Sequence, residues 1–400
     1  MQFLPSLAIF AAANLVWLAI SGVHLGGDTG LFLDGARRLL DGQPLVDREP
    51  SYLGYVAVIA ASQAVGGGLL GVVLFQIAIA TAGAGAVYRL GMELGGARVA
   101  AIATGLLTID FDVNRWHTYV LADSLFISAF AVSVWLVHHA ADVGCGDKPS
   151  GRGDKPSAFA RSATADRRSL GGGWLGLSFK WHAWALVVLL ATSLVRPEGW
   201  FALPAAGFYW VARRTRSGGP RLFASAAVAG ASLIVALIVA PRLSGNLSAV
   251  NPSGMLERGQ TIWDYDGWRI AMPSPAGDAP GPGPIAYALQ HPIATAELML
   301  ARLGVHLAHV RPFYSTAHNA VIVLWLLPIY ALAAIALWTS RGQPLTRWCA
   351  LAFASQALVV ALTHADWDGR YLAHVMPIAY PFAAAGLWAV VNRRTAVVLG

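Results

Sequence analysis

Gly-Gly-Asp28-Thr-Gly-Leu-Phe-Leu-Asp34-Gly-Ala-Arg-Arg-Leu-Leu-Asp-Gly42-Gln-Pro-Leu-Val-Asp47-Arg-Glu49-Pro-Ser-Tyr52, residues 26–52, is a polar segment set between two apolar runs, Phe3 to Val23 and Tyr52 to Val65. Asp28 stands where an N-cap would. Leu31, Phe32, Ala36, Leu39 and Leu40 follow at near-helical spacing, and Gly42 comes where a helix would stop. A helix with one apolar face beside an apolar run of about 20 residues predicts a short helix lying on a membrane surface. The acidic pair Asp47 and Glu49 then leads into Tyr52, whose short run reads as an interfacial or re-entrant helix.

The composition agrees with a lipid solvent. Of the 400 residues, 56% are hydrophobic and only 12% charged, about half the usual charged share, and the mean hydropathy is +0.56. This excludes a disordered chain, a coiled coil and an ordinary soluble enzyme. Further apolar runs cover roughly 69–90, 99–112, 119–140, 175–195, 200–212, 222–243, 319–339, 348–363 and 371–391, which with the first run predicts about ten crossings. The first run has no basic residue before it and no small-residue cleavage pattern after it, so it reads as a retained anchor rather than a signal peptide.

The net charge of +7 sits at the ends of apolar runs, so it reads as a topology signal and not as a nucleic-acid footprint. Lys148, Lys155, Lys180, Arg152, Arg161, Arg167 and Arg168 fall in loop 141–180, and Arg213, Arg214, Arg216 and Arg221 in the next basic loop. Placing both inside makes Arg196-Pro-Glu-Gly199 a tight outer turn. Arg341, Arg347, Arg393 and Arg394 fall on the same inner side, which puts both termini in the cytoplasm. The expected architecture is an all-α integral membrane protein, residues 1–400 forming one transmembrane domain. Loop 24–51 is its first outer loop. Loop 141–180, with Gly-Asp-Lys-Pro-Ser at 146–150 and 153–157, is a flexible linker. Loop 244–318, rich in Pro and Gly from Pro273 to Pro284 and amphipathic over Ile285–Val310, is a small outer cap. Cys145 and Cys349 form no disulfide framework and no zinc motif.

Ionisable groups gather at the outer helix ends: His24, Asp28, Asp47, Glu49, Asp110, Asp112, Arg115, His117, Asp123, Arg196, Glu198, His364, Asp366, Asp368 and Arg370. None sits at the middle of a predicted span, which argues against an ion-coupled transporter. The pattern is that of a reaction or binding site at the outer membrane–water boundary. His364, Asp366, Asp368 and His374 match no established metal spacing, so no cofactor is assigned and a divalent metal is not favoured. Most tryptophans fall at span ends as interface anchors. Trp263, Tyr265 and Trp268 fall in the cap, where aromatic rings can stack on a ligand, though packing is the commoner role.

The 26–52 segment, together with Arg89-Leu-Gly-Met-Glu-Leu-Gly-Gly-Ala-Arg98, Leu121-Ala-Asp123-Ser, Arg196-Pro-Glu-Gly199 and Arg370-Tyr-Leu372 followed by Pro377, resembles the GT-C-fold glycosyltransferases. These include the protein O-mannosyltransferases and the lipid A aminoarabinose transferases. Thr29 stands where the protein mannosyltransferases often carry a second acidic residue. The resemblance implies transfer of a sugar, with inversion, from a polyprenyl-phosphate carrier to a lipid, glycan or protein acceptor of the envelope. It also implies that Asp28 is the general base. The departing phosphate needs cations already in place. Arg370, between an acidic turn and an outer helix end, is the first choice, with Arg115, Arg196 and Arg311 in reserve. Asp47, Glu49, Arg115, Asp123, Arg196, Glu198, His364, Asp366 and Arg370 are the candidate substrate-binding residues. Asp28 remains open to the simpler role of helix cap, and Arg196–Glu198 to that of a local ion pair. The Ala/Gly/Arg-rich composition suggests a bacterial cytoplasmic membrane. Rival readings are an envelope-lipid transporter or flippase, a polyprenyl-diphosphate-dependent glycan polymerase or ligase, and a non-catalytic relative.

Overall fold

The computed structural model describes residues 2–144, 174–214, 256–273 and 284–398. The chain is an integral membrane protein. Among the described residues six helices are long and apolar enough to cross a bilayer: α1 (Phe3–Ser21), α4 (Gly68–Gly95), α7 (Ala122–Gly144), α12 (Thr316–Ser340), α13 (Pro344–Leu362) and α14 (Arg370–Val398). Of the other expected crossings, the 99–112 run is the short α5 (Ala97–Ile109), the 200–212 run the short α9 (Ala202–Arg214), and the 175–195 run α8 (Trp174–Val195). The expected span at 222–243 and most of the 141–180 linker lie outside the described residues. The core is built where α4, α5, α7 and α14 meet. Gly386 of α14 lies so near the Leu332 carbonyl of α12 that a Cβ there would sit 2.0 Å from its oxygen, so these two helices pack backbone to backbone.

The segment after α1 forms α2 (Thr29–Leu40) and, after a 3-10 turn at Glu49–Tyr52, α3 (Leu53–Ala64). The apolar stripe of α2 turns inward through Phe32 and Ala36, and the Phe32 ring meets Tyr52 and Tyr55 edge-on at 5.1 and 5.0 Å. Helix α2 therefore packs on α3 instead of resting on lipid alone. Gly42 has a φ of +67°, as a helix-ending glycine should. Arg196–Gly199 forms the tight turn that the charges called for, a 3-10 segment at Pro197–Phe201 joining α8 to α9.

Within this all-α architecture the 244–318 segment carries one small hairpin. Strands β1 (Gln260–Ile262) and β2 (Tyr265–Arg269) form an antiparallel hairpin, with Gln260 opposite Arg269 and Ile262 opposite Tyr265. The tight turn is closed by Asp264 at a φ of +54°, a conformation that aspartate tolerates better than most residues. Ile262 also bridges to Ala365, which pins the hairpin to the loop before α14. Helices α10 (Pro284–Gln290) and α11 (Pro292–Ala308) follow, where the sequence predicts an amphipathic stretch.

Candidate functional site

Five segments converge at one end of the bundle: the start of α2, the start of α7, the α8–α9 turn, the loop before α14 and the first turn of α14. Asp28 occupies the cap position of α2, yet its side chain makes no capping hydrogen bond. Thr29 takes over the local role, its hydroxyl accepting from the Gly26 amide at 2.8 Å and donating to the Val120 carbonyl at 3.0 Å. The Asp28 carboxylate instead accepts from Arg370 at 3.2 Å and from Arg48 at 3.4 Å. Its side chain is 28% exposed, so the group between two guanidiniums is also reachable from outside.

Behind this exposed pair lies a buried one. Asp123, 1% exposed, accepts from Arg196 and lies 3.0 Å from His374 Nε2 and 3.9 Å from Arg370. Arg196 then grips Glu198 with two nitrogens, at 2.8 and 3.2 Å. Burial acts to raise the Glu198 carboxyl, but the Arg196 guanidinium outweighs it and holds the group below the usual range. A bidentate arginine pair of this kind is geometrically rigid. Asp28, Arg370, Asp123, Arg196 and Glu198 thus form one connected chain of charges. Arg370 is steadied from a third side by Asp368 at 3.1 Å. Burial pushes the Asp368 carboxyl up to about 6, against the pull of Arg370.

The remaining sequence candidates are placed as follows. Arg115 donates to the Asp368 carbonyl and lies 3.5 Å from Asp112, so it braces the turn that presents Arg370. Glu49 is buried at the α2–α3 junction, accepting from the Val46 amide at 2.8 Å and from Arg38 at 3.3 Å. Asp47 is exposed at a φ of +50° and stands outside the network. His364 packs on Trp263 at 4.7 Å, and burial lowers its imidazole to about 4. Asp366 is buried beside Arg311, 3.8 Å from its nearest nitrogen. Burial would raise this carboxyl, but Arg311, with His309 and His306, keeps it below its ordinary value. Arg311, held in reserve for phosphate, is spent on the Asp366, Val305 and Val310 carbonyls. Among the described residues no three His, Cys, Asp or Glu side chains are grouped as a metal would need.

One member of the network, Arg48, escaped the sequence reading. It was legible only as one basic residue inside the acidic 47–49 stretch. Asp110 caps the short helix α6 (Phe111–Asn114), accepting from the Asp112 and Val113 amides at 2.8 and 3.3 Å and from the Tyr380 hydroxyl. Burial pushes its carboxyl up to about 6.

The fold resembles the GT-C fold of membrane glycosyltransferases, at great distance in sequence. No protein-family profile matches the chain, and no curated protein does. The apo crystal structure of the Archaeoglobus fulgidus oligosaccharyltransferase aligns over 100% of this chain at a TM-score of 0.52 and 12% identity. The archaeal oligosaccharyltransferase AglB from the same organism, in complex with an inhibitory peptide and a dolichol-phosphate, aligns over 98% at 0.51 and 14% identity. The chain spans about half the length of these structures, 52% and 51% of each.

Proposed function

We propose that this protein is a glycosyltransferase that moves a sugar from a polyprenyl-phosphate carrier to an envelope acceptor, at the outer face of a bacterial cytoplasmic membrane. The observation that carries this reading is the Asp28–Arg370 pair, 3.2 Å apart, half-open to the outside and backed by the buried Asp123–Arg196–Glu198 chain. The GT-C-like fold supports it. In this reading the chain is one transmembrane domain with both termini in the cytoplasm, and the site belongs to the outer boundary.

The chemistry runs as follows. The donor phosphate competes for the Arg370 guanidinium and draws it from Asp28. The freed carboxylate accepts a hydrogen bond from the acceptor hydroxyl at roughly 2.6–3.2 Å. That oxygen attacks the anomeric carbon as its proton passes to Asp28. The bond from that carbon to the phosphate oxygen breaks, and its electron pair leaves with the polyprenyl phosphate. Arg370, already oriented by Asp368 and Asp123, meets the growing negative charge without reorganising, which is the economical way to stabilise a leaving group. A second reading, a diphosphate-linked donor, is favoured by Arg48, which places another guanidinium 3.4 Å from Asp28.

The test is sugar transfer by purified protein in lipid, with polyprenyl-phosphate and polyprenyl-diphosphate sugars as alternative donors. Wild type should transfer, and Asp28→Asn should lose at least about 100-fold, the low end of general-base effects. Equal rates would remove Asp28 from the chemistry. Transfer from the diphosphate donor alone would select the second reading, and no transfer with either donor would return the weight to transport.

A further inference from the structure

Helix α11 carries its polarity the wrong way round for a water-exposed cap. The side chains it buries are Thr295, Leu298, Arg302 and His306, three of them polar or charged. The residues it turns outward include Ile293, 75% exposed, and Leu300, 69% exposed, with Ala296, Gly304 and Ala308 continuing the same face. In water a helix hides its apolar stripe and shows its charges. A helix that does the opposite is in a solvent less polar than the protein behind it.

The buried polar groups have structural work that explains their direction. Arg302 donates to the Ala361 and Leu362 carbonyls, both at 3.2 Å, and to the Gln260 carbonyl at 3.0 Å. The first two are final carbonyls of α13, the end of a helix where a cation is most favourable. The depth of α11 is fixed from the other side by α12. The Tyr330 hydroxyl donates to the Leu307 carbonyl at 2.9 Å. Tyr330 lies about 21 Å down α12 from its first residue, at 1.5 Å per residue. The C-terminal part of α11 therefore lies beside the body of a membrane helix and not above its end.

From this inversion and this depth we propose that α11 is embedded in the outer leaflet, its outward face from Leu300 onward in contact with lipid acyl chains and Ile293 at their headgroup boundary. The proposal is independent of the reaction assigned to the site. The helix tilts. Glu297 is its one exposed charged residue and lies in its N-terminal half, the end placed at headgroup level. Beyond Leu298 the outward face carries no charge. The N-terminal end belongs at headgroup level and the C-terminal half among the chains.

The test uses the full chain with Cys145→Ser and Cys349→Ala, reconstituted in phosphatidylcholine vesicles, and single variants Ile293→Cys and Leu300→Cys carrying a nitroxide. Collision with dissolved oxygen, which concentrates in hydrocarbon, is compared with collision with a water-soluble nickel chelate. Leu324→Cys is the lipid reference and Asp266→Cys the water reference. The oxygen-to-nickel ratio should exceed that of Asp266→Cys severalfold at both sites, should match Leu324→Cys at Leu300→Cys, and should be lower at Ile293→Cys. A ratio at Leu300→Cys equal to that of Asp266→Cys would make α11 an aqueous cap and overturn the proposal. A label there reached by neither reagent would show the face covered by protein, and would overturn it equally.

Discussion

Asp123→Asn separates the buried half of the charge chain from its exposed half. The substitution keeps the size of the side chain and one acceptor oxygen but removes the negative charge facing Arg196, whose side chain is only 4% exposed. Removing one partner of a buried ion pair costs about 3–5 kcal/mol. Glu198 still holds Arg196 at 2.8 and 3.2 Å, and the wild-type Asn114–Asn14 contact at 3.0 Å shows that amides are tolerated in this bundle, so the cost should fall near the lower end, about 3 kcal/mol. Asp28→Asn removes a carboxylate with as many arginine partners, but that carboxylate is 28% exposed, so water compensates and the cost should be about 1 kcal/mol or less. The assay is equilibrium unfolding of both variants in mixed micelles with increasing SDS fraction, followed by tryptophan fluorescence. Asp123→Asn should unfold at a clearly lower fraction and Asp28→Asn close to wild type. If the two variants shifted equally, or Asp28→Asn shifted more, the division into a supporting buried pair and a working exposed one would be wrong.

Other outcomes follow from the same geometry. Asp110 has a folded value of about 6, above the unfolded value of about 3.9, so its contribution is present below about pH 4 and is lost as pH rises through 6. Asp110→Asn keeps the acceptor to the Asp112 amide and never ionises. It should therefore gain about 2–3 kcal/mol on wild type between pH 4 and pH 8, and a pH-independent difference would contradict the assignment. Gly369 has a φ of +85°, and a Cβ on it would lie 1.6 Å from His309 Cε1, so Gly369→Ala should yield little folded protein by fluorescence-detected size exclusion. Adding His309→Ala should restore part of it; failure to do so would mean that backbone strain, not the ring, is the obstacle.

What the sequence disclosed was local. The α2 stripe and the stop at Gly42 could be read because a helix pattern and its end lie within a few residues of each other. The role of Asp28 could not be decided in that way. Its position is a capping one, but its side chain answers to Arg48 and to Arg370, and nothing within one turn announces either. Arg311 was misleading for the same reason: a charged residue in an outer segment looks available until its carbonyl partners are known. Helix α11 shows a different limit. Its amphipathic pattern was visible, but the pattern does not say which face is inside when the surrounding solvent is lipid. The outer ends of the helices were legible as the place where polar groups gather, whereas their division into the buried set at Asp123 and the open set at Asp28 depends on packing.

The Asp28–Arg370 contact has a consequence for synthesis. The two residues are 342 positions apart, and the helix carrying Arg370 is the last of the six to leave the ribosome. Until then Asp28 has been made and left without its distal partner, while Asp123 waits for both His374 and Arg370. A chain interrupted before α14 would insert most of its helices yet hold no assembled site. The charge chain is thus closed by order of arrival, and its last link forms only when α14 joins the bundle.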